Sequence, residues 1–442
     1  MKRLVKRFLR VLPMPAELKN KIYFKLKSYS EKYTENKTSV TVNSHADLSE
    51  YVKQVLMIPT EKSLDYVSFC IHDTVETDFS VIAYYLTQFH PNAKNDEWWG
   101  KGTTEWTNVS KAVPQYVGHY QPRLPGELGY YDLRIKENMA EQIRLARNYG
   151  IKAFCFYYYW FDGERLLEEP LNMFLENKDL DINFCISWAN ENWTKRFSGT
   201  NTDVLMQIGE TEESNIRFIY DVLPMLKDER YYRINGKPLL IVYRPMNIKN
   251  IRTVFEAWRK IAKEEAEIDL YIVATQEKDD VTDWCAVSGC DAETEFQPKT
   301  LLPHLKEVTN DFLAAAATFR GTIYSYEDAV EKATDIAKRN VEKKIYPAVM
   351  PMWDNTARRN NRGVIFHGAN PDLYKRWLLS AHERVKQNGC DQKIVFINAW
   401  NEWGEGAYLE PDRFFGYAFL EKTYEAMKET ADNYVIDKKE DK

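Results

Sequence analysis

The stretch IKAFCFYYYWF, residues 151–161, is eleven residues long and carries one charge, Lys152. It reads as a buried strand, and the segment before it, Leu133–Tyr149, reads as an amphipathic helix closed by Gly150. Helix, glycine, strand is one unit of an α/β fold.

The same texture recurs along the chain. In order the apolar runs are VIAYYLTQFHP (81–91), IKAFCFYYYWF, INFCISWANENW (182–193), KPLLIVYRP (237–245), LYIVATQ (270–276), a weaker CDAETEFQP (290–298), KKIYPAVMPMWDNTAR (343–358) and KIVFINAWNEWGE (393–405). Helical patterns separate most of them, including Ile251–Glu265, Glu327–Glu342 and Pro371–Asn388. Strands that alternate with helices form a parallel sheet covered on both faces. Eight such runs predict a (β/α)8 TIM-type barrel, with a long loop from Asn92 to Leu133 after the first strand. An open doubly wound sheet would want a glycine-rich phosphate turn after its first strand, and TQFHPNAKNDEWWG has none.

Residues 1–75 are polar and lysine-rich and read as a basic N-terminal extension and linker; residues 76–432 read as the catalytic barrel and 433–442 as a charged tail. In the extension, Leu4, Val5, Phe8, Leu9 and Leu12 share one helical face, and Lys2, Arg3, Lys6, Arg7 and Arg10 the other. A basic amphipathic helix over residues 1–12 suits a peripheral contact with the inner face of the cytoplasmic membrane; a helix docked on its own domain is the alternative. Basic residues interrupt every short apolar run here, so no export signal is expected, and no stretch reaches spanning length. Six cysteines without a CxxC pair fit a reducing, cytoplasmic compartment.

A net charge of −6 argues against nucleic acid as a partner. Twelve Trp and 28 Tyr exceed what the core needs and suit stacking on sugar rings. In a barrel, function sits just after each strand. Those ends hold Gln88 and His90; Tyr158, Tyr159 and Trp160; Trp188, Asn190, Glu191 and Trp193; Tyr243 and Arg244; Gln276; Glu293, Glu295 and Gln297; Trp353, Asp354 and Asn355; and Asn401, Glu402, Trp403 and Glu405. Indole and phenol faces beside amide and carboxylate groups are what a carbohydrate cleft requires. Trp188, Trp193 and Trp353 suit stacking platforms or core packing, and His90 and Glu191 suit substrate contact or the barrel rim. Arg358, Arg359 and Arg362 suit a diphosphate-linked donor or an ordinary basic loop. No histidine pair has metal-ligand spacing, Cys285 and Cys290 lack sequence partners, and no nucleophile elbow occurs, so neither metal nor cofactor is expected.

Glu402 and Glu405 stand three apart, and positions three apart on a strand face opposite ways. They share a site only if the strand ends near Asn398 and the chain turns, which Gly404 and Gly406 permit. Two close carboxyls walled by indoles would split into a proton donor and a base or nucleophile, the arrangement of glycoside chemistry.

The segments NEWGEGAYLEP (401–411), PMWDNTARR (351–359) and WANENW (188–193) resemble the WbsX-like proteins of bacterial surface-polysaccharide loci, relatives of glycoside hydrolase family 99, the endo-α-mannosidases. The resemblance runs over about residues 80–425, with all eight strand ends in order. The family-99 motif is similar to E-W-H-E-G-x-x-I-E-P, and residues 402–411 read EWGEGAYLEP, ending in Glu410 and Pro411. The resemblance implies that Glu402 draws the proton from the sugar 2-hydroxyl, which attacks its own anomeric carbon. It implies that Glu405 acts as acid, then base, at the glycosidic oxygen. Gly404 stands where the family has histidine, so mannose specificity does not carry over. The expectation is an enzyme of O-antigen, lipopolysaccharide or capsule biosynthesis acting on a carbohydrate, free or linked to lipid or nucleotide diphosphate. A glycosyltransferase using an activated donor and a non-catalytic sugar-binding scaffold are the alternatives.

Overall fold

A computed structural model of the protein describes residues 62–194, 204–276, 282–312, 319–339 and 343–440. The amphipathic helix expected over residues 1–12 lies outside the described residues.

The runs named above supply nine strands: β1 (Phe79–Tyr85), β2 (Ile151–Phe161), β3 (Asn183–Trp188), β4 (Lys237–Val242), β5 (Tyr271–Thr275), β6 (Ala292–Thr294), β7 (Ile345–Tyr346), β8 (Ala348–Val349) and β9 (Lys393–Ile397). Each of β1 to β6 pairs in parallel with the next, and β9 returns beside β1 with Phe79 opposite Lys393. The seventh run is broken by Pro347, which has no N–H to donate. On one side of it β7 pairs with β6, and on the other β8 pairs with β9. The Pro347 carbonyl accepts the Phe396 N–H at 2.9 Å. The break hands the seventh strand from one neighbour to the other, and the sheet closes as a (β/α)8 TIM-type barrel.

Helices follow in chain order: α1 (Ala93–Trp99), α2 (Glu105–Ser110), α3 (Lys136–Asn148), α4 (Glu169–Glu176), α5 (Glu212–Leu226), α6 (Ile251–Ala266), α7 (Trp284–Ser288), α8 (Tyr326–Arg339), α9 (Thr356–Arg359), α10 (Pro371–Gln387) and α11 (Ala418–Glu440). In α6, Ile251, Val254, Phe255, Trp258 and Ala262 are buried, a stripe at the helical period that faces the sheet. Helix α10 starts at Pro371 behind the Asn370 cap, whose side chain accepts the Leu373 N–H. Helix α11 runs to Glu440, so the stretch read as a charged tail continues a helix.

Strand β2 shows how the two faces divide. Phe156 meets Phe174 of α4, and Tyr158 and Trp160 meet Phe218 of α5. Cys155, Tyr157 and Tyr159 therefore face the lumen. Tyr157 stacks on Tyr84 of β1 at 5.5 Å, Phe396 of the adjoining β9 packs on Tyr84, and Phe296, which follows β6, meets it from across the barrel. The lumen is a filled aromatic core, as the fold requires.

The end of the presumed linker belongs to the barrel. Ser63 and Val67 donate their N–H groups to Phe414 and Phe415, Tyr417 donates back to Val67, and His72 Nε2 lies 2.8 Å from Glu421. The folded body thus begins before residue 76.

Candidate active site

The chain leaves β9 at Ile397 and forms a two-rung hairpin of β10 (Asn401–Glu402) and β11 (Ala407–Tyr408), joined by one 3-10 turn over Trp403–Glu405. Gly406 closes the turn at φ +60, with Asp354 O only 2.9 Å from any Cβ placed there. This turn overcomes the strand period and brings Glu402 and Glu405 to one side. Gly404 is glycine for a different reason from the one its turn position suggested. A Cβ on it would stand 1.8 Å from Glu105 Oε1 and 2.8 Å from Arg358 Nε. The space is taken by a side-chain pair.

That pair organises the site. Arg358, on α9, donates Nε to Glu105 Oε1 at 2.8 Å and Nη2 to Glu402 Oε1 at 2.7 Å, while Nη1 lies 3.1 Å from Glu405 Oε1. Three carboxylates thus converge on one guanidinium. Glu402 is almost wholly buried, whereas about a quarter of the Glu405 side chain (26%) and less of Arg358 (18%) reach solvent. Burial pushes the Glu402 carboxyl well above its ordinary range, with Arg358 opposing, and it raises Glu405 in the same direction. Burial also works against the charge on Arg358, but the carboxylates outweigh it and hold the guanidinium protonated. Burial and the mutual repulsion of the carboxylates thus raise both carboxyls together, against the pull of Arg358.

Around them stand Tyr157, whose hydroxyl donates to Asn398 Oδ1 at 3.3 Å, and Tyr159, whose hydroxyl accepts from Gln88 Nε2 at 3.3 Å. Glu402 lies within electrostatic reach of both tyrosines, and Lys299 within reach of Glu405. The Lys299 ammonium also sits 4.2 Å over the Tyr243 ring. Half-buried Trp193 meets Tyr159 edge-on at 5.0 Å. Glu191 pairs with Arg244 through two contacts of 2.8 Å.

Several residues expected to touch substrate are placed elsewhere. Tyr158 and Trp160 face the helices, the Tyr158 hydroxyl donating to Asp221. Trp188 is fully buried, stacked on Phe218 at 4.1 Å against Trp258. Asn190 exchanges hydrogen bonds of 2.7 Å with the backbone of Arg244, and Asn401 exchanges bonds of 2.7 and 3.0 Å with the backbone of Leu86. Both asparagines clip strand ends together. His90 and Trp353 are buried, and burial keeps His90 neutral by lowering its pKa. Glu295 is drawn outward to Arg384 of α10 and accepts the Ala348 N–H at 3.2 Å. Trp403 stacks on Tyr408 at 3.8 Å and donates to Glu410 Oε2 at 2.6 Å. Glu410 also accepts from Tyr131 and Gln142, and burial raises its carboxyl to about 7.

Asp354 is a buried hub behind the pair. It accepts from His119 Nε2 and Gln121 Nε2 at 2.7 Å and from Thr356 Oγ1 at 2.6 Å, and its own N–H holds Glu405 O at 2.7 Å. His119 Nδ1 accepts the Gln115 N–H, so the ring proton sits on Nε2 and points at Asp354. Although Asp354 is buried, these donors and the Arg123 charge hold its carboxyl well below the usual range.

Glu105, Tyr157 and Lys299 escaped sequence reasoning. Tyr157 was discoverable by alternation from Tyr159. Glu105 carried one signal, an acid in the first turn of α2 behind the Thr104 cap, within the long loop after β1.

The chain matches the family described as Glycosyltransferase WbsX over residues 81–423. It is 40% identical over 357 residues to the protein WxcX of Xanthomonas campestris pv. campestris strain B100, covering 80% of this chain and 50% of that protein. The WxcX of strain ATCC 33913 matches to the same extent. The chain thus spans about half the length of the curated relatives it matches. Among solved structures it is similar to the GH99 endo-alpha-mannosidase of Bacteroides thetaiotaomicron, with TM-score 0.52 and 15% identity over 81% of this chain and 99% of that one. A glycoside hydrolase-like protein gives TM-score 0.52 at 17% identity over 82% and 97%. These structural likenesses establish the barrel. The family match and the WxcX relatives go further: the chain belongs to the WbsX glycosyltransferase family.

Proposed function

We propose that the protein makes or remodels a glycosidic bond of a bacterial surface polysaccharide with retention, using Glu402 and Glu405. The observation that carries this reading is their convergence on Arg358. The terminal nitrogens of one guanidinium are about 2.3 Å apart, so the two carboxylate oxygens they hold stand no more than about 8 Å apart, a ceiling that admits the spacings glycosidases use; retention is taken from the resemblance in 402–411. By the resemblance in 402–411, Glu402 accepts the proton of the sugar 2-hydroxyl as that oxygen bonds to the anomeric carbon. Glu405 protonates the departing glycosidic oxygen. In the second half Glu405 takes the proton of the incoming hydroxyl, the anomeric bond to O2 breaks, and Glu402 returns its proton to O2. Water as acceptor gives hydrolysis, and a sugar hydroxyl gives transfer. The Glu105–Arg358 pair occupies the space of the family histidine and would set a different sugar preference at that subsite.

The family's description favours transfer. In this second reading the donor is nucleotide- or lipid-linked. Arg359 and Arg362 are exposed beside the site and suit its phosphates, whereas Arg358 is already engaged by carboxylates. Incubation with a nucleotide-sugar panel and with surface polysaccharide separates the readings: donor consumption supports transfer, and sugar release without it supports hydrolysis. Glu402→Gln and Glu405→Gln should each lower turnover at least ~100-fold. An activated aryl glycoside should restore much of the loss for Glu405→Gln only, because its leaving group needs no acid. A scaffold would bind sugar undiminished in both variants and turn over none in any.

No helix among the described residues is long and apolar enough to cross a membrane. A cytoplasmic enzyme held at the inner membrane face by residues 1–12 is part of the proposal. Deleting those residues should move it to the soluble fraction.

A further inference from the structure

On the outer face of the barrel wall, the connection between β5 and β6 gathers ligand-type side chains from two places in the chain. Asp283, Cys285 and Glu293 bring a carboxylate oxygen, a thiol sulfur and a second carboxylate oxygen within 4.8 Å of one another. Cys290 Sγ lies 3.4 Å from Cys285 Sγ. In the sequence, Cys285 and Cys290 stand alone because their companions are carboxylates, one of them on a strand.

The local folding makes the cluster. Asp283 caps α7 by accepting the Ala286 N–H at 2.8 Å. Gly289, at φ +74, reverses the chain after α7, and its N–H returns to Cys285 O at 3.0 Å. That reversal lays Cys290 back against Cys285. Glu293 sits on β6 with its side chain pointing away from the lumen, since its neighbour Thr294 reaches Tyr84 inside. Its buried carboxylate is oriented by Trp284 N–H at 2.9 Å and Gln276 Nε2 at 2.8 Å. In ordered metal sites, ligating carboxylates are oriented by outer hydrogen-bond donors of this kind. The Asp283 side opens to solvent and gives an ion its entry.

We propose that Cys285, Cys290, Asp283 and Glu293 form a Zn2+ site. Two sulfurs on one tetrahedral zinc stand about 3.8 Å apart, because each Zn–S bond is near 2.3 Å. The two sulfurs need only a few tenths of an ångström of adjustment, while Cys290, which lies outside the mutual 4.8 Å of Asp283, Cys285 and Glu293, has to draw in toward the carboxylates on binding. A disulfide would require the sulfurs to close to about 2.0 Å. Mixed thiolate and carboxylate ligands favour zinc over magnesium or calcium, which take oxygen sets. The site would fasten α7 to the strand that leads to Lys299. Binding takes the two thiol protons into solvent and changes no oxidation state.

The test uses the full chain, reduced, stripped with chelator and then titrated with Zn2+ alone. The expected result is one ion per chain with micromolar or tighter affinity. Co2+ in its place should give thiolate-to-metal charge-transfer absorption in the near ultraviolet. Joint Cys285→Ser and Cys290→Ser substitution should abolish both signals, and Asp283→Asn, at an exposed position that leaves the fold intact, should weaken Zn2+ at least ~10-fold. Absence of stoichiometric binding by the reduced wild-type chain would overturn the proposal, as would undiminished binding in the folded double variant. A disulfide between these cysteines in protein purified without reductant and blocked at once with a thiol alkylator would also overturn it.

Discussion

Glu105 fills the volume that any side chain at Gly404 would need, its Oε1 lying 1.8 Å from the position of a Cβ there. The two residues are 299 positions apart in the numbering and belong to different loops of the barrel mouth. A glycine in the hairpin and an acid in α2 are therefore one device. Gly404→Ala should push Glu105 off Arg358 and cost about 1–3 kcal/mol, as overpacking does. Turnover should fall at least ~10-fold, because Arg358 loses the partner that aims it. Adding Glu105→Ala frees the space and should return most of the stability without the activity. Urea midpoints and initial rates on the three variants check this; a stable, active Gly404→Ala would refute the device.

Arg358 sets how readily the Glu402–Glu405 pair ionises. The guanidinium opposes the upward push of burial on both carboxyls. Arg358→Met removes that opposition, so both carboxyls must bind protons more tightly. The acidic limb of the kcat/KM profile should move to higher pH by about one unit or more. A limb that stays in place would mean that the base responsible for it is elsewhere.

The lumen-facing and helix-facing tyrosines of β2 should separate cleanly. Tyr159→Phe removes a hydroxyl held by Gln88 beside Glu402 and should lower kcat/KM about 10-fold with little change in melting temperature. Tyr158→Phe removes a hydroxyl bonded to Asp221 and should leave kcat/KM unchanged while costing about 1 kcal/mol of stability. Kinetics and thermal unfolding of both variants provide the comparison.

Glu410 makes the fold lose stability as the pH rises from the acid range to neutrality. Its folded carboxyl is raised by burial to about 7 from an ordinary 4.5. Between those values the native state holds a proton that the unfolded chain has released, so stability falls as pH rises through the window. The loss reaches about 3 kcal/mol above pH 7 from this group alone. Glu410→Gln should flatten that slope, which urea midpoints measured at pH 5 and pH 8 would show. Glu402 and Glu405 contribute in the same direction, so a residual slope remains.

The barrel was legible because helix and strand periods alternate along the chain, and because strand ends change texture from apolar to polar and aromatic. Side-chain direction was not legible in IKAFCFYYYWF, where both faces are buried and no polar alternation marks the lumen. That is why Tyr158 and Trp160 looked like substrate contacts. At the strand ends, amides and carboxylates have two uses, and Asn190, Asn401, Glu295 and Asp354 serve the second: they satisfy backbone groups and ion partners in buried joints. The hairpin at Glu402–Glu405 was readable from Gly406, the glycine whose positive φ closes it. Its third carboxylate was not, because only the closed fold brings α2 to that turn.

The belt formed by Ser63, Val67 and His72 gives the polar lead-in a mechanical part to play. Val67 O lies 2.2 Å from where a Cβ on Gly416 would be, so the main chains meet with no room for a side chain between them. Phe69 rests on the Tyr417 ring at 5.4 Å. A chain trimmed to the first barrel strand would bare these rings and strip α11 of its brace, whereas a cut before Lys62 leaves every one of these joints whole. Where the chain can be shortened or fused is decided by this seam of backbone against backbone, and the change in amino-acid composition near residue 76 is a poor guide to it.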